Sequence, residues 1–221
     1  EELFDRLAGQ WDKFAGAFST GRARERAASH LLPRPFTVAD LGCGAGTMAE
    51  ALLACTSHLI LVDRSEAMLA EARTRLERRA SGCRLDFRRG TLDDLPIEDA
   101  ELDGCVAGMV LHHVPNLDPV LREMHRVLRP GGTASILELA PHHETWMRAE
   151  LGDLHLGLPA EDVLAAMDRA GFEDLVLDPV EDQYCPRRAP RSETSAPAGA
   201  DDARVSLSLY LVRGRRPRAT P

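Results

Sequence analysis

Val38-Ala39-Asp40-Leu41-Gly42-Cys43-Gly44-Ala45-Gly46-Thr47 decides the fold: an apolar run stops at three alternating glycines, and a helix-forming segment, Met48 to Ala54, starts directly after them. The pattern describes a strand, a tight turn and a helix start. Glycine suits such a turn because the backbone must reach φ values that other residues avoid, and a missing Cβ lets a ligand lie against the loop. A second apolar run, His58-Leu59-Ile60-Leu61-Val62-Asp63, ends in a carboxylate. It falls about 20 residues after the glycines, where the neighbouring parallel strand delivers an acceptor for ribose hydroxyls. Together the two runs describe an α/β domain that binds a nucleoside.

The glycine spacing narrows the nucleoside. A dinucleotide fingerprint GxGxxG requires glycine where the chain has Thr47; the sequence reads GxGxG. Here the chain resembles the class I S-adenosylmethionine (SAM)-dependent methyltransferases, whose first motif, (D/E)xGxGxG, stands as Asp40-Leu41-Gly42-Cys43-Gly44-Ala45-Gly46. An ordered series carries the resemblance further: Val62-Asp63-Arg64-Ser65-Glu66-Ala67-Met68-Leu69, then Gly90-Thr91-Leu92-Asp93-Asp94-Leu95-Pro96, Leu111-His112-His113, and Leu128-Arg129-Pro130-Gly131-Gly132. The motifs cover roughly residues 36 to 140 and are specific for SAM, not for the acceptor.

The composition fits a single substantial core. Of 221 residues, 44% are hydrophobic, so one domain with appendages is the natural reading. A net charge of −8 offers no global attraction to nucleic-acid phosphates, and no nucleic-acid partner is expected for this chain alone. Cys43, Cys55, Cys83, Cys105 and Cys185 are odd in number and contain no CxxC pair. They read as reduced thiols in the cytoplasm, not as a disulfide framework or a zinc knuckle. No run approaches a membrane span, and no basic-then-apolar signal opens the chain. It starts on Glu1, not methionine, which leaves room for upstream sequence. A monomer or homodimer is expected.

Along the chain, residues 1–35 read as an N-terminal helical lid, with Leu3, Phe4, Leu7, Trp11, Phe14 and Phe18 at helical spacing, and residues 36–221 as the SAM-binding domain. Strand and helix then alternate, which predicts a mostly parallel sheet. Strands are placed near 36–41, 58–63, 84–89, 102–109, 133–140, 172–179 and 204–213. Helices are placed near 46–55, 65–80, 117–128 and 159–170. Ser65 is read as a helix cap and Pro130-Gly131-Gly132 as a helix stop. The resemblance implies a Rossmann-like, doubly wound seven-stranded sheet in the order 3-2-1-4-5-7-6 with strand 7 antiparallel. Residues 141–158 read as an inserted lid or substrate wall, and residues 185–203, rich in proline, serine and alanine, as a flexible loop.

The resemblance implies the roles at the cofactor. The loop of Gly42, Gly44 and Gly46 accommodates the amino-acid and ribose portions of SAM, Asp40 orients the methionine ammonium through water, and Asp63, followed by Arg64, accepts from the ribose hydroxyls. Met68 packs on the adenine. Thr91 stands where the family usually has an acidic residue; its oxygen can still accept, and the Leu92 N–H can still meet a ring nitrogen. Asp93 and Asp94 read either as substitutes for that acid or as a solvated turn. Gly108 and Met109 end the fourth strand on the side where open α/β sheets place ligands. Trp11 is either a packing anchor or an aromatic closing over the methionine end of SAM.

For catalysis, His113 and His142 are the candidate bases for a hydroxyl, thiol or amine acceptor, set against a purely structural reading of Leu111-His112-His113-Val114. His142, His143, Glu144, Asp153 and His155 are suitable metal-binding types, but their spacing defines no metal site, and none is assigned. Two functions follow. One is an enzyme that transfers the SAM methyl group to a small-molecule acceptor by in-line displacement, leaving S-adenosylhomocysteine (SAH), similar to the ubiquinone and menaquinone C-methyltransferases. The other is a SAM/SAH-sensing domain similar to those fused behind arsenic-repressor-type winged-helix regulators.

Overall fold

A computed structural model describes residues 36–80, 82–186 and 205–218. The segment read as a helical lid, Trp11 included, lies outside them, as does all of the loop read at 185–203 except Cys185, Pro186 at its start.

The sheet forms around a strand that is apolar on both faces. β2 (His58–Asp63) follows β1 (Thr37–Leu41) and α1 (Thr47–Leu52). Its Leu59, Ile60, Leu61 and Val62 are all fully buried, the signature of a parallel strand covered on both sides. Alternation sorts them: Leu59 and Leu61 join Ala49 of α1 and Leu69, Ala72 and Leu76 of α2 (Glu66–Leu76). Ile60 and Val62 join the opposite core, with Leu121 and Met124 of α3 (Leu117–Val127) and Val163 and Met167 of α5 (Ala160–Arg169).

The remaining strands are β3 (Arg84–Arg89), β4 (Leu102–Gly108), β5 (Leu128–Leu139), β6 (Glu173–Tyr184) and β7 (Leu207–Arg215). The sheet order is β3-β2-β1-β4-β5-β7-β6. β1 pairs in parallel with both β2 and β4, whereas β7 runs antiparallel to β5 and β6. The doubly wound sheet and its strand order are thus as the resemblance implied. Because β1 leads to β2 on one side while β4 flanks it on the other, the crevice beyond their carboxyl ends is a topological switch point.

Local chemistry sets several boundaries. Ser65 caps α2, its hydroxyl accepting the Met68 N–H at 3.3 Å, and Asn116 caps α3 through the Asp118 N–H at 3.0 Å. The helix stop at Pro130-Gly131-Gly132 is corrected: α3 ends at Val127, and Leu128 is already extended at φ −76°, ψ 141°. Pro130 disfavours helical backbone at the residue before it, so the chain leaves the helix early and β5 starts at Leu128 rather than near 133. β6 runs to Tyr184, past the expected 179, with a register shift after Pro179, which has no N–H for the ladder. Two short elements were not expected: a 3₁₀ turn at Leu111–His113 and α4 (Trp146–Glu150) within the insertion. Trp146 and Met147 of α4 bury against Leu139 and Leu207, which fixes the insertion to the carboxyl end of β5.

Met124 is fully buried between α3 and the sheet. Met124→Ala should cost about 2–5 kcal/mol of unfolding free energy, read as a lower midpoint in urea at unchanged slope. A loss below about 1 kcal/mol would show that this face of the core is not packed as described.

Candidate cofactor and acceptor site

The glycine loop is held by β2 as much as by β1. The Gly42 and Cys43 N–H groups both donate to the Val62 carbonyl, at 2.8 and 3.0 Å, and the Gly46 N–H donates to the Cys43 carbonyl at 2.9 Å. The Asp63 carboxylate then bridges two turns: Oδ2 accepts the Gly44 N–H at 2.9 Å and Oδ1 accepts the Ser65 N–H at 2.8 Å. From outside, Arg75 Nε donates to the Ala45 carbonyl at 2.8 Å. Gly42 has no substitute here, since its φ is +71° and an added Cβ would lie 2.4 Å from the Val110 side chain.

Beyond this loop opens a cavity of about 490 Å³, within the range of small-molecule sites. Gly42, Gly44, Asp63, Arg64, Met68, Thr91, Leu92, Met109 and His113 of the residues singled out in the sequence all line it. Asp93 lines it as well, whereas Asp94 pairs in an isolated bridge with Thr91. Met109 adopts φ +56°, a conformation uncommon for a residue with a side chain, where β4 meets the cavity. Strain of this kind collects at functional sites. Met68 is 46% exposed on the cavity rim.

Other expected residues stand behind the wall. Gly46 caps α1 at φ +79°, and its face is closed by Ala72 and Leu76 of α2. Gly108 faces Met48, whose Cε would lie 2.9 Å from an added Cβ. Asp40 is 1% exposed beneath the loop, and its Oδ2 has no hydrogen-bond partner among the described residues. Burial raises its pKa from 3.8 to about 7; the Ala49 N–H opposes this and the nearby Asp63 charge adds to it. Burial and the charges of Asp40 and Asp63 likewise push the Cys43 thiol upward, so it is no nucleophile.

The two candidate bases part company. His113 lines the cavity beside Leu151 and Gly152 of the insertion, with Nδ1 3.2 Å from the Gly152 carbonyl. His142 does not line it: its Nδ1 accepts the Glu144 N–H at 3.2 Å, and its Nε2 is buried without a partner. Burial lowers its pKa, partly offset by Asp153 and Glu144. His112 points inward. Its Nδ1 lies 2.6 Å from Oε1 of the fully buried Glu138, and its Nε2 lies 4.0 Å from Asp153 Oδ1. Glu138 was not singled out in the sequence, where it looks like one more residue of a strand. Val110, Pro115, Asn116, Pro119 and Val120, which also line the wall, were missed too; Asn116 followed by Pro119 was the available signal for the last of these, as a helix start pointing at the sheet's carboxyl edge.

Asp40 makes a pH-dependent contribution of definite sign. Between pH 3.8 and about 7 the folded state holds a proton that the unfolded chain has lost, so stability falls as pH rises through that window. Asp40→Asn keeps the shape and removes the titration. The variant should gain about 2 kcal/mol on the parent between pH 5 and pH 8. A difference independent of pH in paired thermal melts would contradict the burial of a titrating Asp40.

Comparison with known proteins agrees with this geometry. Residues 39–136 match the methyltransferase domain family. The 2-phytyl-1,4-naphtoquinone methyltransferase of Synechococcus elongatus is 36% identical over 146 residues, covering 63% of each chain, so this chain spans less than two thirds of that enzyme. The ubiquinone/menaquinone biosynthesis C-methyltransferase UbiE of Acidiphilium cryptum is 30% identical over 187 residues, covering 79% of this chain and 72% of that one. In structure, the YcgJ protein of Bacillus subtilis superposes with a TM-score of 0.68 at 15% identity, over 89% of this chain and all of the other, a likeness of fold. Sheet order, glycine loop and sequence relatives converge: the chain belongs to the methyltransferase domain family, in its class I, seven-stranded form.

Proposed function

We propose that this chain is a SAM-dependent methyltransferase acting on a small-molecule acceptor. The observation that carries the reading is the Asp63 carboxylate, which locks the GxGxG loop and still faces the cavity. A carboxylate has about four acceptor positions, so each oxygen retains capacity for a ribose hydroxyl after taking one backbone N–H.

The residues present fit SAM. Gly44 opens onto the cavity with nothing within 4 Å of an added Cβ, and the orphaned Asp40 Oδ2 below the loop suits a water that carries a ligand's ammonium. Thr91 and Leu92 offer an acceptor and an N–H at the adenine end, with Met68 at the rim. When bound, SAM supplies a methyl group already activated on a sulfonium, so the protein has to align the acceptor and exclude water. Val110, Val114 and Leu151 give the opposite part of the cavity an apolar wall, and His113 supplies its polar point. That part takes the acceptor.

The relatives named above act on quinone-type rings, so a naphthoquinol belongs in a turnover panel with phenols, thiols and amines. All five cysteines are unpaired, which fits a reducing compartment such as the cytoplasm. No described helix is long and apolar enough to cross a membrane. The regulator reading gains nothing from these relatives, both of which are named as enzymes.

Calorimetry with SAH tests the assignment. Asp63→Asn keeps the shape but turns an amide toward one of the two backbone donors and removes the charge. It should weaken SAH by about 1.5–3 kcal/mol, roughly 10- to 100-fold, while NAD binds neither protein appreciably. Unchanged SAH affinity in the variant would remove Asp63 from the site.

A further inference from the structure

A second polar centre lies under the acceptor end of the cavity. Glu138, His112 and Asp153 are 0%, 4% and 3% exposed. Glu138 is satisfied: its oxygens accept the Leu139 N–H at 2.6 Å, the His112 N–H at 3.2 Å and the His112 ring at 2.6 Å. Asp153 is not. Both of its oxygens are buried, and neither accepts a hydrogen bond from the described residues. A buried carboxylate left in that condition is costly unless a cation meets it.

We propose that His112, His113 and Asp153 form a binding site for a first-row divalent cation of the zinc class, with Glu138 orienting His112 from behind. One donor atom from each of the three residues lies within 4.8 Å of the others. The His112 and His113 rings stand 4.2 Å apart, and Asp153 Oδ1 is 4.0 Å from a nitrogen of each. The Glu138 carboxylate is placed to accept an Nδ1–H of His112, and in that neutral tautomer Nε2 offers its lone pair on the Asp153 side; metal-bound histidines are commonly held by a carboxylate in this way. Charge balance points the same way. Two buried carboxylates flank one imidazole, and a dication bound to neutral His112 compensates both. His142 Nε2, buried and unpartnered, belongs to the same polar surroundings, with Asp153 the foremost charge acting on it.

The centre is pre-assembled and reachable. The His112 carbonyl accepts the Leu154 and His155 N–H groups at 3.1 and 3.0 Å, which ties the 3₁₀ turn to the insertion that carries Asp153. His113 and Gly152 line the cavity and provide the entry path. Binding through His113 Nδ1 exchanges its contact with the Gly152 carbonyl for the ion, and Gly152, at φ +80° with open space around it, can shift. Two imidazoles and one carboxylate select zinc, cobalt or nickel over magnesium or calcium. Three protein ligands leave a position toward the cavity, as in catalytic rather than structural zinc sites. If the methyltransferase reading holds, that position takes the acceptor's heteroatom; the ion site itself does not depend on it.

The test uses the full chain, stripped with a chelator and titrated with Zn²⁺ against a chromophoric competitor, with Co²⁺ as a spectroscopic probe and SAH binding measured in parallel. One Zn²⁺ per chain should bind at micromolar affinity or tighter, millimolar Mg²⁺ should not compete, and the Co²⁺ form should show d–d bands without thiolate charge transfer. Asp153→Asn and His113→Ala should each weaken Zn²⁺ by at least about 10-fold, and Glu138→Gln by about 10-fold, in proteins whose melts remain cooperative. His113 sits at the cavity wall, so its variant answers the question even if the buried ones fail to fold. A chain that binds SAH but no Zn²⁺ overturns the proposal. So does thiolate charge transfer in the Co²⁺ form, or Zn²⁺ affinity unchanged in both Asp153→Asn and His113→Ala. Zn²⁺ uptake without SAH binding would support this site while removing the methyltransferase reading.

Discussion

One carboxylate, that of Asp63, joins the two turns on which the site depends. It ends β2, accepts one N–H from the glycine loop that follows β1, and accepts another from the cap of α2. A loop of three glycines has high conformational entropy when free, and here two backbone hydrogen bonds to the Val62 carbonyl and one charged acceptor, Asp63, hold it to the neighbouring strand. The same carboxylate faces the cavity. Binding and loop order are therefore coupled through a single group, and a ligand that engages Asp63 meets a loop already in place.

Neutral groups are orphaned in the body as well, at His58, His125 and Tyr210, but the charged groups of the packed sheet and the carboxylates near the cavity differ in how well they are satisfied. In the body, partly buried charges have firm partners: Arg88 meets Asp86 and Glu101 at 2.8 and 2.9 Å, and Arg129 meets the buried Asp103 at 2.8 Å. Around the cavity the opposite holds. Asp40 and Asp153 keep buried oxygens without donors, and Met109 takes a left-handed backbone. Natural folds tolerate such features where a ligand compensates them, with the rigid parallel core supplying the stability they consume. Of the two orphaned carboxylates, Asp40 lies beneath the glycine loop and Asp153 beside His112 and His113.

Much of this was legible in the chain itself. β2 stands where the apolar run at 58–63 put it, because a strand buried on both faces reads as an uninterrupted apolar segment, whereas β3, Arg-Leu-Asp-Phe-Arg-Arg at the sheet edge, was legible from the alternation of strand and helix. The glycine spacing and Asp63 pointed to one side of the cavity because those contacts are local, made by a turn and the next strand. The side facing the insertion was harder. Glu138, His112 and Asp153 come from a strand, a 3₁₀ turn and an insertion, and nothing in their spacing reveals that the sheet brings them together. His142 looked like a partner of His113 at one pocket, yet it does not line the cavity, and its Nδ1 is taken by the Glu144 N–H. Gly46 matched the glycine motif and Gly108 the carboxyl end of a strand, whereas in the fold both are closely packed, by α2 and by Met48.

On the proposed function, the crevice beyond β1, β2 and β4 holds the adenosyl group against Asp63. Backbone amide shifts recorded while SAH is titrated into the full chain test this most directly. Saturable changes should cluster at Gly44, Ser65, Leu92 and Met109, with β6 and β7 unmoved. Changes centred on β6 and β7, or none at millimolar SAH, would contradict it.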